Sequence, residues 1–317
     1  MDQPDMSVWT GRVDTADGPD ALRWHQMVKS LAADSPPGIV LVGFACDEGV
    51  RRNGGRVGAK DGPRAIRAAL ANLAWMYDAR PVYDAGDVRC DDGDMEGAQA
   101  RLAEVVAQVV GAGHTPLVLG GGHETAWGTF QGIAAECPDG NIGIINLDAH
   151  FDLRADEPGT SGTPFRQIAD WCRARGRWFG YVPLGISPAS NTEALFDRAR
   201  GLNVSWRLDR DLAPWKLDAV LADVRSFASG VDHLYASIDL DVLPAAAMPA
   251  VSAPAARGVP FESVEAIAET IVKHAKHLVA ADVVELNPAY DPDRRGAALA
   301  ARLVWTLLNA HRIGGSS

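Results

Sequence analysis

The sequence predicts an α/β protein in which a mainly parallel sheet lies open between two layers of helix. Three observations predict it. Strand-length apolar runs alternate with segments of helical periodicity from Gly38 to His311, the pattern of strand–crossover–strand units. Loops after the first, third, fourth and seventh runs are long and carry the chemistry-bearing residues, as at the ligand crevice of an open α/β sheet. The runs are also unequal in length, which favours an open three-layer sheet over a closed eight-stranded barrel.

Taken in order, residues 1–35 are polar and Asp-rich, with Trp9 and Trp24 expected to anchor them and a short helix expected at 21–32. Pro36-Pro37 breaks the chain. Strands are expected at 38–45, 82–85, 115–120, 142–147, 178–185, 204–206, 233–238 and 278–285. Helices are expected at 63–75, 96–110, 124–134, 165–175, 192–199, 215–227, 261–276 and 295–311. Pro63 suits a first helical turn. No repeat, linker or composition break divides the chain, so residues 1–317 are expected to form a single domain. The tail Gly314-Gly315-Ser316-Ser317 is expected to be unstructured.

The 317 residues are 47% hydrophobic, enough for a large core, and the formal net charge is −11. That charge argues against nucleic acid or an anionic membrane as partner. It leaves room for a small anionic substrate, because a local basic loop can outweigh the global sign. No apolar run reaches the ~18–20 residues that span a bilayer. Met1-Asp2-Gln3-Pro4-Asp5 lacks the basic and apolar regions of a signal peptide, so a cytoplasmic location is expected. Cys46, Cys90, Cys137 and Cys172 form no Cys-x-x-Cys pair and read as reduced thiols.

The most informative stretch is Asn146-Leu147-Asp148-Ala149-His150-Phe151-Asp152. In extended backbone, Asp148, His150 and Asp152 share one face. Two carboxylates and an imidazole converging without a cation are costly; with a divalent metal they are ligands. The plain alternative is a charged loop after a buried strand. Ser237-Ile238-Asp239-Leu240-Asp241 repeats the logic, and Gly120-Gly121-Gly122-His123-Glu124 adds a second imidazole at a helix start. Singly these read as solvated strand-end acids and a satisfied polar histidine. Together they offer four Asp and two His, enough for two ions, and a thiol-free, carboxylate-rich set suits Mn²⁺ or Mg²⁺, with imidazole favouring Mn²⁺. Two such ions roughly 3.5–4 Å apart can activate one shared water. Glu285 ends the last strand and could hold a cationic amidine or guanidine, its alternative being an exposed acid. The loop 46–56, Cys-Asp-Glu-Gly-Val-Arg-Arg-Asn-Gly-Gly-Arg, places Arg51, Arg52 and Arg56 at the same edge. They suit carboxylate recognition or a solvated loop paired with Asp47 and Glu48.

Gly-Gly-Gly-His-Glu, Asp-Ala-His-Phe-Asp and Ser-Ile-Asp-Leu-Asp, in that order, resemble the ureohydrolase (arginase/agmatinase) superfamily over roughly residues 38–311. The resemblance implies the arginase fold, with an eight-stranded parallel sheet, and two Mn²⁺ per chain. It implies that His123 and His150 bind one ion each, Asp148 and Asp239 bridge them, Asp152 completes the first site and Asp241 the second. Glu285 would hold the substrate's guanidinium or formimidoyl end. Asp152, His150 and Glu285 then form the catalytic group, with Asp152 the first choice for relaying a proton to the leaving nitrogen. Arginases carry a proton-shuttling His in Ser-Gly-Asn-Leu-His; here Phe165 of Ser161-Gly162-Thr163-Pro164-Phe165 takes that place. The segments 46–56, 161–167, 190–192 and 252–259 are similar to the formimidoylglutamases of histidine degradation. The implied reaction is hydrolysis of N-formimidoyl-L-glutamate to L-glutamate and formamide by a hydroxide held between the two metals. A substrate with two carboxylates accounts for Arg51, Arg52 and Arg56, with Arg166 and Arg257 as further candidates. The alternatives are a guanidino-acid hydrolase or agmatinase releasing urea, and a catalytically silent protein on the same fold. All six ligands and Glu285 being present argues against the last. The resemblance also implies a homo-oligomer.

Overall fold

The structure, a computed structural model, describes residues 4–18, 20–76 and 80–313. The tail 314–317 lies outside the described residues. The strands are β1 (Lys29–Ser30), β2 (Ile39–Ala45), β3 (Val82–Arg89), β4 (Thr115–Gly120), β5 (Ile142–Leu147), β6 (Gly180–Ile186), β7 (Arg207–Leu208), β8 (His233–Asp239) and β9 (Leu278–Val284). The α-helices are α1 (Trp24–Met27), α2 (Glu48–Arg52), α3 (Gly62–Leu70), α4 (Met95–Gly111), α5 (Thr125–Glu136), α6 (Pro164–Ala174), α7 (Glu193–Gly201), α8 (Leu217–Gly230), α9 (Phe261–His274) and α10 (Arg295–Ile313). One sheet, in the order β1-β3-β2-β4-β9-β8-β5-β6-β7, joins all nine strands, and each pairing within it is parallel.

The long strands read as continuous apolar runs because both of their faces are covered. Alternate residues serve opposite layers. On one face Leu41, Leu117, Ile145 and Ile238 pack with Ile66, Leu70, Val224, Ile267 and Val304 of α3, α8, α9 and α10. On the other, Val40, Val42, Val118 and Ile144 pack with Leu102, Val106, Phe130, Ile133 and Ile168 of α4, α5 and α6. Each large side chain so buried contributes about 1.5–3 kcal/mol of transfer free energy. Trp9 and Trp24 are buried as expected, and the Trp9 indole donates to Asp84 at 2.8 Å. Among the described residues no helix is long and apolar enough to cross a membrane.

The open, parallel, three-layer arrangement agrees with the expected fold, and β4 and β5 fall on the expected bounds. Other details differ: a short helix, α2, lies within the 46–56 loop, β3 runs four residues beyond the strand expected at 82–85, and α3 ends at Leu70 rather than 75. The sheet gains a ninth strand, β1, whose two exposed residues pair with Tyr83 and Asp84 of β3. The helix expected at 21–32 shrinks to α1 because the chain after it extends to make that pairing. The strand expected at 204–206 is displaced to β7.

The order β4-β9-β8-β5 at the middle of the sheet positions the site. Four adjacent strands end on one edge, and each releases ligand-type residues there: His123 after β4, Glu285 after β9, Asp239 and Asp241 at β8, and Asp148, His150 and Asp152 after β5.

Candidate metal centre

The structure brings the six predicted ligands together in two groups. Ligand atoms of His123, Asp148, Asp152 and Asp239 lie within 4.8 Å of one another, as do those of Asp148, His150 and Asp241. Asp148 belongs to both. His123 Nδ1 faces Asp152 Oδ2 at 2.9 Å, Asp239 Oδ2 at 3.1 Å and Asp148 Oδ2 at 3.2 Å. His150 Nδ1 faces Asp241 Oδ2 at 2.9 Å and Asp148 Oδ1 at 3.5 Å. The other oxygen of Asp239 accepts from the Asp241 amide at 2.8 Å. Five of the six side chains are buried, whereas the His150 side chain is 22% exposed.

The local backbone explains the convergence. Gly121 and Gly122 donate to the carbonyls of Phe44 and Cys46, laying the β4 exit directly on the β2 exit. A Cβ on Gly121 would sit 1.9 Å from the Cys46 carbonyl oxygen, so only glycine permits the approach. Asn191 clamps the turn after β5, accepting from the Phe151 amide and donating to the Ala149 carbonyl. Asp152 and Glu285 have left-handed backbones, φ +48° and +70°. Non-glycine residues adopt that region at a cost, and such strain gathers at functional sites.

The donor set fits divalent cations. His123 Nδ1 is buried and has no hydrogen-bond partner, although three carboxylate oxygens surround it. That is the geometry of a lone pair and carboxylates aimed at a common cation. The protonation energetics express the same crowding. Burial works against charging His123 and His150, yet the neighbouring carboxylates hold both well above the ordinary imidazole value. Burial, then the Asp148 charge, pushes Asp152 up to about 6. Burial, then Asp241 and Asp148, raises Asp239 well above the usual carboxylate range. Asp148 is the exception: its two imidazole partners outweigh burial and lower its pKa.

Glu285 stands beside the cluster. Its Oε1 accepts from the His123 amide at 2.9 Å, and its Oε2 is buried without a partner. Burial first, then Glu124, raises its pKa well above the usual value. Glu124 also has an unpartnered Oε2; its Oε1 accepts from the Gly49 amide at 3.0 Å, and burial pushes its pKa up to about 7. Phe165 is fully buried, stacked on Tyr181 at 4.4 Å and edge-on to His123 at 5.2 Å.

The predicted arginines behave differently from the ligands. Arg51 has a 64% exposed side chain paired with Glu48. Arg52 is held by Glu48 and Glu96. Arg56 donates to the Pro249 and Ser252 carbonyls and lies over the Tyr290 ring at 4.2 Å. Arg166 binds Asp170, Glu157 and the Arg154 carbonyl. Arg257 is looser, 59% exposed and 3.9 Å from Asp209. Sequence reasoning passed over Arg154, two residues beyond Asp152. Its stem lies against Gly162, where a Cβ would sit 2.6 Å from Arg154 Cδ. Among the described residues its guanidinium has no hydrogen-bond or ion-pair partner. Its spacing did not mark it, because the left-handed turn at Asp152 breaks the alternation.

A centre of two carboxylate–imidazole groups sharing one aspartate, at the C-terminal edge of a parallel sheet between helices, defines a class of α/β metal-binding proteins. The arginase family profile matches residues 37–309, and the chain belongs to that family. It is 57% identical over 303 residues to the formimidoylglutamase of Chromobacterium violaceum, spanning 96% of this chain and 97% of that one. Its fold superposes on Bacillus subtilis formimidoylglutamase with a TM-score of 0.82 at 22% identity, over 94% of this chain and 95% of that one. It superposes on Trypanosoma cruzi formiminoglutamase with Mn²⁺ with a TM-score of 0.78 at 26% identity, over 98% and 99%.

Proposed function

We propose that this chain hydrolyses the C–N bond of N-formimidoyl-L-glutamate, giving L-glutamate and formamide, in histidine degradation. The observation that carries the proposal is the pair of carboxylate–imidazole groups sharing Asp148, with the unpartnered Glu285 Oε2 beside them. The near-full-length similarity to formimidoylglutamases supports the choice of substrate. In this reading His123, Asp148, Asp152 and Asp239 would hold one Mn²⁺, and Asp148, His150 and Asp241 would hold the other. The resemblance would add Asp239 as a second residue shared by the two sites. When bound, the two ions supply Lewis acidity and lower the pKa of a shared water.

The chain's own residues do the rest. Glu285 Oε2 takes the N–H groups of the substrate's amidine end, which satisfies a buried acceptor and fixes the amidine carbon against the cluster. Asp152 would relay the proton destined for the leaving nitrogen. Phe165 carries no proton, so the histidine shuttle of arginases has no counterpart at that position. We assign a substrate carboxylate to Arg154, two residues past Asp152, whose exposed guanidinium has no hydrogen-bond or ion-pair partner among the described residues. Arg257 is the second candidate, because little inside the protein competes for it. Arg51, Arg52, Arg56 and Arg166 then shape the rim, each being committed to the protein itself.

The test is direct. Purified protein loaded with Mn²⁺ is expected to release formamide and glutamate in equal amounts from N-formimidoyl-L-glutamate. Release of neither overturns the proposal.

A further inference from the structure

Behind His123 lies a buried chain of polar groups. Ser237 of β8 and Asp282 of β9 are partners in the parallel register, and both are fully buried. Asp282 Oδ1 accepts from Ser237 Oγ at 2.7 Å, and its Oδ2 accepts from the Tyr235 hydroxyl. Ser237 Oγ is 2.9 Å from His123 Nε2.

The chemistry of these groups fixes a direction. A serine hydroxyl has one proton. Ser237 gives that proton to Asp282, which as a carboxylate can only accept. The Ser237 oxygen can therefore only accept from His123, so Nε2 keeps its proton and the neutral ring has its lone pair on Nδ1. Nδ1 is the atom facing Asp148, Asp152 and Asp239. A carboxylate behind a metal-binding imidazole has this orienting effect in general. Here it is relayed through one hydroxyl and anchored by a tyrosine. For His150, no hydrogen bond orients the ring from behind among the described residues, and its side chain is part-exposed.

We propose that Asp282, acting through Ser237, is a positioning residue that locks His123 in the tautomer able to bind a cation, and so sets the affinity of the first ion site without setting that of the second. The inference rests on the two-metal reading given above. Replacing Asp282 by Asn reverses the relay. The amide oxygen accepts from Tyr235, the amide N–H donates to Ser237, and Ser237 then donates to His123 Nε2. The ring proton is displaced to Nδ1, pointing at the carboxylates where the cation would sit. Ser237→Ala only breaks the relay, and Ser237→Thr keeps a hydroxyl in it.

The experiment is equilibrium dialysis of each full-length variant against graded free Mn²⁺, with bound metal counted by mass spectrometry. Electron paramagnetic resonance then distinguishes coupled ion pairs from isolated ions. Wild type should bind two ions and show a coupled pair. Asp282→Asn should weaken one site by ~10–100-fold, leave the other within threefold, and show isolated ions at intermediate Mn²⁺. Ser237→Ala should show a smaller loss at the same site, and Ser237→Thr should restore binding. Two wild-type sites in Asp282→Asn overturn the proposal while leaving the metal reading intact. Should Asp282→Asn fail to fold by circular dichroism, Ser237→Ala decides, and unchanged two-site binding there overturns it. Fewer than one Mn²⁺ bound by wild type sinks the metal reading itself, and this inference with it.

Discussion

Asp148→Asn is the perturbation that tests the shared ligand. Asp148 is fully buried, its Oδ2 is 3.2 Å from His123 Nδ1, and its Oδ1 is 3.5 Å from His150 Nδ1. It is also held in place, accepting from the His150 amide at 2.6 Å and from Asn146 Nδ2 at 3.0 Å. The asparagine keeps the shape and removes one negative charge from each ion group. Removing one partner of a buried charge pair costs about 3–5 kcal/mol, which is roughly 150- to 4,000-fold in a dissociation constant. Because the residue belongs to both groups, both sites should weaken by that order and metal content should fall below one ion per chain at micromolar Mn²⁺. Calorimetric titration and metal counting after dialysis read this. Two sites each within threefold of wild type would refute the idea that Asp148 is common to them.

Further outcomes follow from the same geometry. Asp152→Asn should weaken the first site only, since Asp152 faces His123 and not His150; loss of both sites contradicts the grouping. Arg154→Met should raise KM for N-formimidoyl-L-glutamate by ~1.5–3 kcal/mol, about 10- to 150-fold, with kcat little changed, whereas Arg51→Ala should leave KM within about twofold; the reverse ranking returns the carboxylate site to the 51–56 loop. Phe165→His should not create arginine hydrolysis, because the ring is buried between Tyr181 and His123; urea release from arginine would contradict this. In the metal-free protein, His123, His150, Asp152 and Asp239 all have raised pKa values. Their protons stabilise the fold fully below the unfolded values, about 4 for Asp and 6.5 for His, and that stability is lost as pH rises through the folded values, beginning near 6 with Asp152. Hence Tm in chelator should fall from pH 5.5 to 8.5, while Mn²⁺ affinity should rise over the same range as the protons leave. A Tm in chelator that climbs with pH would contradict the sign.

The ligand cluster was legible in the sequence because four apolar runs ending in ligand-type residues had to end at one edge of a parallel sheet. The expected alternation did not produce it: the chain leaves β5 at Leu147, turns so that the His150 amide meets Asp148, and is left-handed at Asp152. The strand neighbours β4, β9, β8 and β5 were not legible, since order in a parallel sheet is set by crossovers that leave no local mark. Short elements were lost for a related reason: Lys29–Ser30 is a strand only by virtue of Tyr83 and Asp84. The surroundings of the arginines were legible only in part: the pairing of Arg51 and Arg52 with Glu48 lies within the 46–56 loop, whereas Arg52 also meets Glu96 and Arg56 meets carbonyls near 250, partners remote in sequence. Asp282 was hidden similarly, an acid inside an apolar run whose meaning depends on facing Ser237.

The central claim is that this centre acts on a formimidoyl group carried by a glutamate. The most direct measurement is a substrate panel for the Mn²⁺-loaded protein, with N-formimidoyl-L-glutamate, L-arginine, agmatine and 4-guanidinobutyrate assayed side by side for formamide and for urea. The account predicts formamide release from the first, with kcat/KM at least ~10³-fold above any urea-releasing substrate, as expected when buried polar groups are left unpaired by the wrong ligand. Urea release from agmatine or 4-guanidinobutyrate at equal or greater efficiency would contradict it.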